Sequence, residues 1–181
     1  MAAAGRRPVS PFGNLIPGTF KTMHIYPFPL PDDDGYPTTD DFEVVSREEG
    51  KGRGLYARRP FLRGDFIARV TGVVVHRVLQ HTLQISPVSH LFDPYFSGLL
   101  LHSCDPNTHL DMNRFELWAA KDILPGAALT MDYASTEDVL FKQFRCLCGA
   151  ANCRGWVTGR RERPLVQQMD TLPLPVREAA E

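Results

Sequence analysis

Three of the four cysteines in this chain of 181 residues fall within a window of eight, as Cys146-x-Cys148-x4-Cys153, with Gly149 directly after the second and Gly155 just beyond the third. A thiolate cluster needs a chain that doubles back tightly enough for each sulfur to stand about 2.3 Å from one metal ion. The two glycines supply the backbone freedom for such a turn. Three cysteines leave a tetrahedral zinc site one ligand short, and Cys104 is the only thiol left to complete it. Burial as a small hydrophobe accounts for a lone Cys104 but not for the clustered trio. Neighbours spaced Cys-x-Cys are badly placed to bridge each other as a disulfide. The expected metal set is therefore Cys104, Cys146, Cys148 and Cys153. Zinc there ties the C-terminal segment back onto residues near 104, and its binding energy becomes folding energy for that corner.

The rest of the composition narrows the function classes. Formal net charge is -1, with 43% hydrophobic and 23% charged residues. These are ordinary values for a globular domain, and the length suffices to bury a core. Direct nucleic-acid binding predicts a basic surplus that this chain lacks; Arg58-Arg59 and the group Arg160, Arg161 and Arg163 read as solvated faces. No stretch approaches the roughly 20 apolar residues that span a bilayer, and no signal-peptide core follows the N-terminus. The expectation is a soluble, unexported protein in a compartment that keeps thiols reduced, cytoplasmic or, if it acts on chromatin, nuclear.

Residues 1–41 carry Pro8, Pro11, Pro17, Pro27, Pro29, Pro31 and Pro37 and end near the acidic run Asp32-Asp33-Asp34. Each proline ring removes a backbone donor and fixes φ, so the segment reads as an irregular arm with Ile25, Tyr26 and Phe28 laid on the core. From residue 42 the texture changes to short runs rich in β-branched and aromatic residues. They cover 42–47, 55–58, 66–75, 81–85, 115–120 and 128–133, with glycine and proline as punctuation. Residues 137–144 have the spacing of two helical turns. The fold class expected is mostly β, and residues 160–181 form a polar tail.

Three further motifs precede the cysteine trio. They are Gly52-Arg53-Gly54-Leu55, then Leu101-His102-Ser103-Cys104-Asp105-Pro106-Asn107, then Ala128-Leu129-Thr130-Met131-Asp132-Tyr133. Alone, a Gly-x-Gly is usually a turn, a His a core residue and a Tyr plain packing. In this order they resemble the SET-domain protein-lysine methyltransferases with a post-SET zinc motif, over about residues 42–157. The resemblance implies a SET domain at 42–134, short twisted sheets around a threaded C-terminal strand, and a small zinc-binding post-SET segment at 135–159.

The resemblance also implies the roles. Gly52, Arg53, Gly54, Leu55, Leu101, His102, Tyr133 and Leu147 would meet S-adenosylmethionine, and Tyr133 would be the catalytic tyrosine. Met131 and Trp156 would shape the channel for a lysine of a protein or peptide substrate. The lysine must arrive neutral, and deprotonating a side chain of pKa about 10.4 at pH 7 costs about 4–5 kcal/mol. A narrow apolar channel and the neighbouring sulfonium both disfavour the ammonium. Met131 stands where the family's Phe or Tyr sets the number of methyl groups added, and a flexible side chain without a hydroxyl points to more than one addition, with plain core packing the alternative.

One position departs from the family pattern: Leu101 replaces the Asn before His-Ser-Cys that hydrogen-bonds the polar end of the methyl donor. Two other readings therefore stay open, a SET-like binding module without turnover and a SET-like enzyme acting on a small molecule in a biosynthetic pathway.

Overall fold

The computed structural model describes residues 23–31, 35–46 and 52–165. The prolines before residue 23, the acidic run at 32–34, the end of the strand expected at 42–47 and the tail beyond 165 lie outside the described residues. Twelve short strands and two 3₁₀ turns make up the described fold, with no α-helix among these residues. No helix among them is long and apolar enough to cross a membrane.

Five small sheets carry the architecture. β1 (Phe42–Val45) pairs antiparallel with β2 (Gly54–Ala57). β3 (Phe66–Arg69), β8 (Thr108–Asp111) and β9 (Glu116–Ala119) form an antiparallel sheet in the order β3-β9-β8. β4 (Val73–Val75), β5 (Thr82–Ser86) and β6 (Ser89–Phe92) form a second, in the order β4-β6-β5. β7 (Leu101–His102) and β10 (Thr130–Met131) pair in parallel, and β11 (Phe144–Arg145) pairs antiparallel with β12 (Trp156–Val157).

The strand expected over 66–75 is divided in two. Gly72 is where the chain leaves one three-stranded sheet for the other: a Cβ there would sit 2.3 Å from the Phe92 carbonyl oxygen, so only glycine permits the approach. The helix expected over 137–144 does not form. A helix needs the carbonyls of 137 and 138 to accept from amides four residues on. Here they accept instead from Arg160 at 3.0 Å and Arg161 at 3.1 Å, so the segment pairs with a distant part of the chain. Gly159 makes this docking possible, because a Cβ on it would lie 2.3 Å from the Asp138 carbonyl oxygen.

The core is aromatic. Phe42 stacks on Phe61 at 5.6 Å between ring centroids and meets Phe96 edge-on at 5.1 Å, with all three fully buried. Such pairs contribute roughly 0.5–1.5 kcal/mol each beyond the area they bury. The N-terminal arm is anchored on this core through Tyr26, whose hydroxyl donates to the buried Asp93 carboxylate at 2.9 Å. Asp93 also accepts from the Phe96 and Ser97 amides at 3.1 and 2.7 Å, so it organises the turn that leads into β7. Ile25 packs on the core as expected, while Phe28 stays 39% exposed and stacks on Tyr26.

Candidate functional site

The site is built on β10, which pairs with β7, and on the two residues before it, which reach back to β2. Leu129 donates its amide to the Leu55 carbonyl at 2.9 Å, and Leu101 donates to the Leu129 carbonyl at 3.1 Å. Asn107 clips the strand in place. Its side-chain oxygen accepts from the Thr130 amide at 2.8 Å, and its side-chain nitrogen donates to the Ala128 carbonyl at 2.8 Å. Sequence reasoning placed Asn107 in a motif without giving it this task. Pairing β7 with β10 brings His102 beside Met131, so that two segments far apart in sequence deliver their motifs to one place.

Tyr133 follows β10 directly and opens the 3₁₀ turn Tyr133–Ser135, which Asp132 caps by accepting from the Ala134 amide at 3.1 Å. The Tyr133 hydroxyl donates to the Leu100 carbonyl at 2.8 Å. Burial, and then the nearby Glu137 carboxylate, push the Tyr133 phenol up to about 12, so it stays protonated at neutral pH. It cannot act as a base there, but it holds an oriented hydroxyl. The His102 ring lies edge-on to it at 5.2 Å between centroids, and Phe144 does the same at 6.2 Å.

His102 connects this tyrosine to the cysteines. Its Nδ1 accepts from the Tyr133 amide at 3.4 Å, so the neutral ring carries its proton on Nε2, which faces Cys104 Sγ at 3.5 Å. Burial lowers its pKa to about 4 despite Asp132, so the ring is neutral at pH 7.

The four sulfurs gather as the spacing predicts. Cys104, Cys146, Cys148 and Cys153 place their Sγ atoms within 4.8 Å of one another, and all are free of disulfides. Sulfurs each about 2.3 Å from one ion stand about 3.8 Å apart in a tetrahedron. Cys104 and Cys146 are 3.8 Å apart. The Arg154 amide points at Cys104 Sγ and the Gly155 amide at Cys153 Sγ, each at 3.4 Å, which suits sulfurs that carry negative charge. The donor set and its spacing fit zinc. Arg154 also grips Asp132.

In front of Tyr133 lies a cavity of about 690 Å³, within the range of small-molecule sites. Of the residues expected at the site, Gly52, Arg53, Leu101, Met131 and Tyr133 line it. Gly54, Leu55, His102, Leu147 and Trp156 do not. Leu147 is 52% exposed, and Trp156 is buried in β12, donating its ring nitrogen to Gln143 at 3.2 Å. Gly52 adopts φ 73°, the left-handed conformation that glycine takes without strain. Gly54 is needed for room instead: a Cβ there would meet Leu101 Cγ and Cδ1 at 2.8 Å, so the departing residue of the motif fills the space above the turn.

Among the cavity residues that escaped sequence reasoning are His81 and Glu137. His81 holds the left-handed φ of 67°, and its Nδ1 donates to the Gly98 carbonyl at 2.7 Å. Nothing in the sequence around His81 signals that strain. Glu137 was read as part of a helix.

Comparison with known proteins agrees with this geometry. The SET domain family model matches residues 52–134. The histone-lysine N-methyltransferase Set2 of Drosophila melanogaster is 30% identical over 155 residues, covering 70% of this chain and 6% of that protein. Methyltransferase flvH of Aspergillus flavus is 38% identical over 63 residues, covering 34% of this chain and 35% of that one. Among solved structures, KRYPTONITE in complex with mCHG DNA and SAH superposes with a TM-score of 0.53 at 30% identity, covering 64% of this chain and 29% of that one. The same protein with mCHH DNA, H3(1-15) peptide and SAH gives 0.50 at 28% identity, with 64% and 29% covered. The chain thus spans only a minor part of each of these relatives. The matched family model and these structural likenesses identify residues 52–134 as having the fold of a SET domain, with the paired motif strands inside it and the four-sulfur cluster behind them.

Proposed function

We propose that this protein transfers a methyl group from S-adenosylmethionine to the side-chain amine of a lysine in a protein or peptide, with zinc held by Cys104, Cys146, Cys148 and Cys153. The observation that carries the reading is the Tyr133 hydroxyl, fixed on the Leu100 carbonyl in the wall of a cavity that Gly52, Arg53 and Met131 also line. S-adenosylmethionine, when bound, supplies an electrophilic methyl group on a sulfonium. Tyr133 offers the oxygen of a neutral phenol to the reacting centre, and its proton is already committed to Leu100. Leu100, Leu101 and Met131 present apolar surface, which excludes water and favours the neutral amine. Alignment of amine and methyl carbon by these walls supplies much of the rate. Reduced cysteines as metal ligands suit the cytoplasm or the nucleus.

The similarity to methyltransferase flvH supports a second reading, in which the amine belongs to a small molecule. A radiolabelled methyl-donor assay on lysine peptides and on small primary amines, with wild-type and Tyr133→Phe proteins in parallel, tests both. Transfer by the wild type with a loss of about 10²-fold or more in the variant is expected, the size of a preorganised polar group's contribution at a reacting centre. Full transfer by Tyr133→Phe would remove the assignment.

A further inference from the structure

Two acidic residues follow the tyrosine turn side by side, and the fold treats them in opposite ways. Asp138 is saturated: it accepts from Arg160 Nε at 2.5 Å and from Gln84 Nε2 at 2.9 Å, with Arg161 at 3.5 Å. Glu137 lines the cavity, is 5% exposed, and forms no salt bridge among the described residues. One of its carboxylate oxygens accepts from the Gln84 amide at 2.8 Å, which fixes the side chain in the wall. Its own amide donates to the Tyr133 carbonyl at 2.9 Å, so it is tied to the turn that carries the phenol.

We propose that the Glu137 carboxylate takes the proton from the acceptor's ammonium and so releases the neutral amine beside Tyr133. This rests on the methyl-transfer reading above. The step balances as follows. The ammonium N–H bond breaks and an O–H bond forms on Glu137. The freed nitrogen lone pair then attacks the methyl carbon, a C–N bond forms, and the C–S bond breaks with its electron pair returning to sulfur as a neutral thioether. The methylated amine leaves as a cation, and Glu137 returns its proton to solvent through the open side of the cavity.

The surroundings suit this task. Burial raises the Glu137 carboxyl to about 7, against the pull of the Gln84 amide, Thr136 and Arg160, so both protonation states are accessible near neutral pH. The phenol of Tyr133 cannot take the proton, because its ionised form lies far higher. The other titratable or charged groups around Glu137 are Asp138 and Arg160, which are paired with each other, and His90, the cross-strand neighbour of Gln84, which burial holds toward its neutral form. Arg53, His81 and Lys142 stand elsewhere in the cavity wall.

The test is the pH dependence of kcat/KM for methyl transfer to a lysine peptide and to n-butylamine, for wild type, Glu137→Gln, Glu137→Asp and Tyr133→Phe. Glutamine keeps the oxygen that accepts from the Gln84 amide and removes only the ability to bind a proton. The wild-type profile is expected to rise through about pH 7 and then level, following the Glu137 carboxyl. The glutamine variant should fall about tenfold or more at pH 7.5 and keep rising toward the amine's own pKa near 10, where the gap closes. Aspartate should retain the lower inflection. Identical profiles for wild type and Glu137→Gln overturn the proposal while methyl transfer stands, and absence of transfer by the wild type to any amine overturns both. Should the glutamine variant fail to fold, a wild-type profile without an inflection near 7 overturns it alone.

Discussion

Arg154 holds Asp132 with both terminal nitrogens of its guanidinium, at 3.0 and 2.5 Å. Asp132 caps the turn that Tyr133 opens, and Arg154 sits next to Cys153, so this pair couples the orientation of the phenol to the cysteine-bearing segment. The pair is partly exposed, so its contribution to stability is on the order of 1 kcal/mol or less. Arg154→Ala is therefore expected to leave the melting temperature within a few degrees while lowering kcat severalfold. Arg154→Lys should not restore it, since an ammonium cannot reproduce the two-pronged contact. Unchanged kcat in both variants would show that the tyrosine turn holds itself.

Metal removal should act on stability and on the cavity together. Metal analysis of purified protein is expected to find about one zinc per chain. A chelator, or Cys148→Ser, should lower the melting temperature by well over ten degrees, because structural zinc contributes on the order of 10 kcal/mol or more of apparent binding energy. The same treatment should weaken binding of S-adenosylmethionine in calorimetry, since Phe144 lies against Tyr133 at 6.2 Å and belongs to the strand that runs into Cys146. A metal-free protein of full stability would contradict the zinc reading.

Glu137 also makes a prediction that needs no turnover. Its folded pKa is raised to about 7 from an ordinary carboxyl value, so the folded state favours the protonated form. The stability this provides is fully present below the unfolded pKa near 4.3 and is lost as pH rises through about 7, a change on the order of 3 kcal/mol. Wild type should therefore lose stability relative to Glu137→Gln between about pH 4.5 and 7, with a constant difference above. Denaturant midpoints for both proteins across that range check this, and parallel curves would refute it.

Leu101 fills the space above Gly54, where the family pattern has an asparagine directed at the methyl donor. Leu101→Asn should tighten binding of S-adenosylmethionine by severalfold in calorimetry. It should also cost about 1–3 kcal/mol of stability, because a buried apolar contact is exchanged for a polar group. Weaker binding in the variant would mean that this cavity has adapted around leucine.

The parts of this molecule that were legible in its sequence are those specified by local chemistry. Cysteine spacing announced the sulfur cluster, and the order of the three upstream motifs announced a SET fold, while the pairing of β7 with β10 came from the structure alone. The arm's Tyr26 was legible as a buried aromatic among prolines. β6 and β8 were missed because each mixes polar residues with only two apolar or buried ones, and β7, β11 and β12 because two residues carry no periodicity. Residues 137–144 were misread for a different reason. Their spacing suits a helix, and the amides that their carbonyls accept from belong to Arg160 and Arg161, partners that no local pattern announces. That long-range docking is also what turned Asp138 toward the arginines and left Glu137 in the cavity wall.

The insertion of the segment that leads into β10 between β2 and β7 has a consequence for the life of the chain before it works. Leu55 and Leu129 are hydrogen-bonded neighbours at opposite ends of the SET domain, so a growing polypeptide holds two open edges until the third strand emerges and slots between them. Contacts of such long sequence separation close slowly, and open strand edges invite pairing with other chains. A ribosome-stalled or truncated product ending before residue 128 would thus be both inert and sticky. The molecule's most vulnerable moment lies in the interval between making its binding walls and receiving the strand that joins them.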